Sequence, residues 1–228
     1  MVKKLVLVLF GLFFVNTAFA GLCDEYKNRA EIKIEKAKWN VTVQSSDKEL
    51  SPEAGYVNVK PYNLFVPHVN YSFNGRFFCV YLTSVEATVG FKDFNIIIDR
   101  KYEKDSCEYN AVLAHEKHHI KDAEDALEDV FPDIEGALQE AVDSVDPIYT
   151  ENVYEVPYAI EKINNQVMKY HKLQELVERF KKQHTDSAKA LDSAPDKNLQ
   201  KCLEDKIQDA FDKYYKENPD KLPQKIDM

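Results

Sequence analysis

His115-Glu116-Lys117-His118-His119 stands where strand-like patterning gives way to helical patterning, and its reading decides both fold and chemistry. On an α-helix, positions i and i+4 share one face, so His115 and His119 can grip a single metal ion. Glu116, one position round, can reach a water beside that ion without ligating it. His118, inside the same motif, belongs to the solvated side. With six histidines in 228 residues, the pattern arises by accident in roughly one such chain in 70. Its surroundings therefore decide its weight.

Upstream, the chain reads as strands. Ile32, Ile34, Trp39, Val41 and Val43 give period-two runs, and Tyr56 to Lys60 continues them. Asn63 to Tyr71, Arg76 to Phe91 and Phe94 to Asp99 are further extended pieces, and Asn74-Gly75 is a hairpin turn signal between two of them. This half predicts a mixed or antiparallel sheet of about five strands. From Asp105 the period becomes helical. Asp105 with Glu108 makes a capping-box-like start, and the helix is expected to run to about Val130, where Phe131-Pro132 stops it. Val112, Leu113, Ile120 and Leu127 place the histidines at the border of the buried stripe. A second helix is expected from Pro132 to about Val145, a long one from about Tyr158 to Leu191, and a last one after Pro195 to about Glu217. The fold class is α+β: an N-terminal sheet, a motif-bearing helix, then C-terminal helices.

The first residues give the compartment. Met1-Val2-Lys3-Lys4, an apolar run from Leu5 to Val15 and the small-x-small end Ala18-Phe19-Ala20 make a secretory signal peptide over 1–20, with cleavage near Ala20. The run is too short for a stable membrane anchor, and Leu22 before Cys23 argues against lipidation. Removing Lys3 and Lys4 takes the formal charge from −9 to −11. So acidic a chain excludes nucleic acid as a partner, because phosphate backbones need clustered Lys and Arg. An exported protein, periplasmic or extracellular, with four cysteines should form disulfides. The expected pairs are Cys79–Cys107, joining a strand end to the helix start, and Cys23–Cys202, tying the termini.

The order of sheet, H-E-x-x-H helix and further helices resembles the zincin fold of metallopeptidases, over roughly Asn63 to Val145. Cys107-Glu108-Tyr109 and Val112-Leu113-Ala114 ahead of His115-Glu116 also look like a little-characterised family of secreted bacterial zincin-like proteins. The resemblance implies one Zn²⁺ per chain, held by His115 and His119, with Glu116 as general base. It implies domains at 21–146 (zincin-like) and 147–228 (helical, packed on it). A catalytic zinc takes a third protein ligand. The metzincin continuation would need Gly where Asp122 stands, so that version is rejected. The gluzincin solution puts a glutamate on the following helix. His119 lies about 12 residues, or roughly 18 Å, before the expected break, so a returning helix arrives near 140–144. Glu140 is the favoured ligand there, Asp143 the next. His171 and His184 are outside candidates, and His68 is structural.

Two functions follow as expectations. One is a secreted zinc metallopeptidase acting on a peptide or protein substrate that lies along an edge strand, Phe94 to Asp99. The other is a non-catalytic exported interaction protein with a structural or vestigial metal site, whose C-terminal helices bind a protein partner.

Overall fold

The computed structural model describes residues 21–50 and 53–219. The expected signal peptide, 1–20, lies outside the described residues. The architecture is α+β, with strands preceding helices. The strands are β1 (Glu31–Lys36), β2 (Val41–Ser45), β3 (Gly55–Asn58), β4 (Pro61–Phe73), β5 (Phe78–Phe91), β6 (Phe94–Ile98) and β7 (Ile148–Thr150). The helices are α1 (Cys107–Asp143), α2 (Val156–Met168), α3 (His171–Asp192) and α4 (Lys197–Glu217). They form two compact units, each built from three chain segments. This is a different partition from the expected 21–146 and 147–228.

The first unit takes residues up to Lys38, Pro61–Phe91 and Leu127–Lys182. In its sheet β5 is central, parallel to β1 and antiparallel to β4, with β7 pairing the start of β5. Asn74-Gly75 makes the expected hairpin: Gly75 has φ +90°, and Asn74 Oδ1 accepts from the Arg76 and Phe77 N–H groups. Val80, Val85, Val89 and Phe91 from β5 are buried, as are Ile134 and Leu138 of α1, Ile163 of α2 and Phe180 of α3. Cys23 and Cys79 form a disulfide beside buried Phe77. Closing a loop with a sequence separation of 56 stabilises by about 4 kcal/mol on the chain-entropy model.

The second unit takes Trp39–Lys60, Lys92–Ala126 and the chain from Gln183. Its sheet has the order β2-β6-β3, with β2 parallel and β3 antiparallel to β6. Phe94, Ile96 and Ile98 alternate inward and are fully buried. Phe94–Asp99, expected at an edge, is thus the central strand, and β3 is an edge. Beyond it Asp99, also fully buried, accepts from the Leu50 and Lys101 N–H groups and pairs with the Lys101 ammonium at 3.1 Å.

Several boundaries differ from expectation for identifiable reasons. The motif helix is capped by Ser106, whose Oγ accepts from Tyr109 N–H, while Asp105 sits at φ +67° and is no cap. Phe131-Pro132 does not end it; Pro132 lies inside α1. An interior proline costs about 3 kcal/mol, and fully buried Val130, Ile134, Ala137 and Leu138 on either side offset that cost. Conversely, the expected helix over Tyr158–Leu191 is two, because α2 closes at Lys169 and α3 opens at His171. The disulfides are Cys23–Cys79 and Cys107–Cys202, not Cys79–Cys107 and Cys23–Cys202. Cys79 lies in the first unit and Cys107 in the second, and each finds its partner within its own unit.

Burial alone would raise the Asp99 carboxyl, but the Lys101 and Leu50 N–H groups and the Lys101 ammonium hold it below its ordinary 3.8. A depressed carboxyl contributes stability that is present above its unfolded value and lost as pH falls through the folded one. Asp99→Asn is expected to cost about 2 kcal/mol at pH 7 and to flatten the acid side of the stability profile. Urea denaturation across a pH series measures both.

Candidate metal centre

The Ser106 cap sets the phase of α1, and the phase sorts the motif. Glu116 and His119 are buried, His115 is half-buried, and Lys117 and His118 are exposed. The His115 and His119 rings meet at 5.0 Å between centroids, close to perpendicular. Against them stands the end of α3. His119 Nε2 lies 2.9 Å from Asp192 Oδ1, and His115 Nε2 lies 3.4 Å from the same oxygen. His115, His119 and Asp192 each offer one ligand atom, and the three atoms lie within 4.8 Å of one another.

The rest of the cleft, about 530 Å³, comes from the same unit. Residues Glu53 to Val57 form one wall, Val112 to His119 the floor, and His184, Ala188 and Asp192 the other wall. Those last three are spaced i, i+4, i+8 on α3, so one helix face looks into the cleft. Asp196 caps α4 by accepting from the Asn198 and Leu199 N–H groups through Oδ1. Its other oxygen stands 3.9 Å from His115 Nδ1, where a carboxylate would orient that ring.

Gly55 lets the wall close on the floor. A Cβ there would stand 2.7 Å from Val112 Cγ1, 2.9 Å from the Ile97 carbonyl oxygen and 3.3 Å from Glu116 Oε1. Glu116 thus lies under β3. Burial, then the charges of Asp192, Glu53 and Asp196, push its carboxyl up to about 7, with the Val57 N–H opposing them. Burial, and then the His115 charge, lower His119 in spite of Asp192; burial, and then His119, lower His184. Imidazoles kept neutral are in the form that binds metal.

The donor set fits a divalent cation. Among the described residues the cleft carries Glu53, Glu116, Asp192 and Asp196 and no Lys or Arg, a concentration of negative charge that a cation relieves. Glu116 Oε2 and His119 Nδ1 are buried with no hydrogen-bond partner among the described residues. Such atoms are costly unless a ligand or water meets them.

The expected third ligand is corrected by this geometry. Glu140 pairs with Lys172, and Asp143 accepts from Gln139, both in the first unit. Because α1 continues through Pro132, Glu140 lies 21 residues beyond His119 in the same helix. Among the described residues, the separate returning helix expected to begin at Pro132 is not present. His171 is exposed beside Glu175, and His68 is exposed at a register shift in β4. His184 does line the cleft. Asp192 carries no local signal: it is one of 39 acidic residues, and its place at the helix end expected near Leu191 does not by itself point to a metal.

Comparison with protein-family models, curated proteins and solved structures returns no match. Among the described residues, no helix is long and apolar enough to cross a membrane.

Asp192→Ala is expected to weaken Zn²⁺ binding by about 100-fold or more, while Glu140→Ala leaves it within about threefold. Chelator competition on the purified variants reads both. Gly55→Ala should cost about 1–3 kcal/mol of stability through the overpacking it forces, visible as a lowered thermal midpoint.

Proposed function

We propose that this chain is an exported, zinc-dependent metallopeptidase of zincin type. The observation that carries the reading is the convergence of His115, His119 and Asp192 on one point beside the buried Glu116 carboxylate. The two histidines and Asp192 would hold the ion, a donor set of the kind found in catalytic zinc sites. Bound zinc supplies Lewis acidity towards the peptide carbonyl and towards water. Glu116 takes the proton from the attacking water and passes it to the leaving amine. Asp196 orients His115, and the tight seat of β3 on Glu116 keeps that carboxylate from bulk water. An extended substrate adds to the outer edge of β3, since β3 has β6 on one side only. This replaces Phe94–Asp99, which is interior to the sheet. Two disulfides agree with an exported protein.

One observation favours a different use of the molecule. Leu203, Ile207 and Phe211 form an exposed apolar line along α4 at i, i+4, i+8. A non-catalytic partner-binding protein with a structural metal would present such a helix.

The two readings part in a single experiment. Mature protein purified without chelators is analysed for metal by mass spectrometry and then given a quenched-fluorescent peptide library. About one zinc per chain and measurable cleavage are expected, with Glu116→Gln keeping its zinc and losing about 10²–10⁴-fold in rate. Wild type without zinc, or Glu116→Gln as active as wild type, sinks the peptidase. Zinc without cleavage assigns the chain to the partner-binding reading.

A further inference from the structure

The third ligand, Asp192, is the last residue of α3, and its support is thin. The buried residues of α3 are Leu173, Leu176, Val177 and Phe180, all in its first half. From Gln183 to Asp192 every residue is half-buried or exposed. The chain then turns through Pro195 into α4, where Cys202 alone among the described residues is buried. Apolar packing therefore does little to fix the segment that brings Asp192 and Asp196 to the histidines. What fastens its far end is covalent. Cys202 is bonded to Cys107, the first residue of the motif helix. One turn further along α4, Lys206 pairs at 2.8 Å with buried Glu108, the next residue of α1. Ten residues separate Asp192 from Cys202, so the segment is closed over the site as a short strap.

The two disulfides differ in accessibility. Cys23 and Cys79 are both buried. Cys107 is exposed, while Cys202 is buried. A thiol reagent therefore meets the Cys107–Cys202 bond first.

We propose that the Cys107–Cys202 disulfide is a reducible clasp that holds Asp192 in the metal-binding group, making metal affinity depend on the redox state of this bond. The inference rests on the reading of His115, His119 and Asp192 as a metal site. The reductant is a dithiol. One of its thiolates attacks Cys107 Sγ, forming a mixed disulfide and expelling the Cys202 thiolate. Its second thiolate then closes on the first, forming the reagent's own disulfide and expelling the Cys107 thiolate. Two electrons and two protons pass from the dithiol to the cysteines. The far end of the strap is then held by the Lys206–Glu108 pair alone, and Asp192 is less firmly fixed beside His119 Nε2. Linkage makes the effect reciprocal: bound metal shifts the thiol–disulfide equilibrium towards the closed clasp by the same factor.

The test uses the full mature chain and Zn²⁺ or Co²⁺ alone. Chelator competition gives the affinity, and the Co²⁺ visible spectrum reports the ligand set. In the variant carrying Cys107→Ser and Cys202→Ser, affinity is expected to fall about 10- to 100-fold, the usual range for losing a group that positions a ligand, and the Co²⁺ spectrum is expected to change. With Cys23→Ser and Cys79→Ser, affinity stays within about threefold of wild type even though stability drops. If the first variant does not fold by circular dichroism, wild type is mildly reduced and alkylated, and the opened pair is identified by mass spectrometry before the metal titration. Equal affinity and an unchanged spectrum in the opened and closed forms overturn the clasp and leave the metal site standing. No binding by oxidised wild type overturns the metal site and the clasp together.

Discussion

The close approach of β3 to α1 at Gly55 is the constraint on which the site depends. With no side chain at that position, the strand lies against Val112 and over Glu116, which removes the carboxylate from bulk water. Desolvation is the largest influence on that group, ahead of the three neighbouring carboxylates. A methyl group's worth of extra thickness would part strand from helix and return Glu116 to the charge state of an ordinary surface glutamate. The chemistry of the cleft is thus set by packing at a residue that bears no functional group.

Local signals in the sequence were read well, and long-range ones were not. The phase of the motif helix, the Asn74-Gly75 turn and the alternation of Phe94, Ile96 and Ile98 each rest on interactions within a few residues, and each appears as its pattern predicts. Pro132 misled because its effect is decided by the apolar burial around it, which outweighs a missing hydrogen bond. From that one error the rest of the site reading followed. A helix that stops at Pro132 must return, and a returning helix brings Glu140 to the zinc position. The helix continues instead. His115, Glu116 and His119 were legible because they are neighbours in the chain, whereas Asp192 and Asp196 are neighbours only in space.

The second half of α3 shows how the fold divides labour within one helix. Its N-terminal turns contribute Leu173, Val177 and Phe180 to an apolar core, and its C-terminal turns present His184, Ala188 and Asp192 to a polar cleft. The composition shifts with the role, from Leu173, Leu176, Val177 and Phe180 in the first half to Ala188 and Ala190 in the second. The difference lies in what each half packs against.

The interleaving of the two units also constrains how the molecule forms. The first unit lacks its last segment until Lys182 has been made, and the second begins its last segment only at Gln183. Neither core can close on an N-terminal fragment, so much of the pairing within each sheet joins strands whose covering helices come later in the chain. Contacts between distant segments slow folding, since loop entropy is lost before burial repays it. Cysteine spacing imposes an order on oxidation as well. Cys23 and Cys79 are both present once the β4–β5 hairpin exists, but Cys107 must wait for Cys202. The bond that fastens the strap therefore becomes possible after Cys23–Cys79, and the site is finished only once Cys202 has been made.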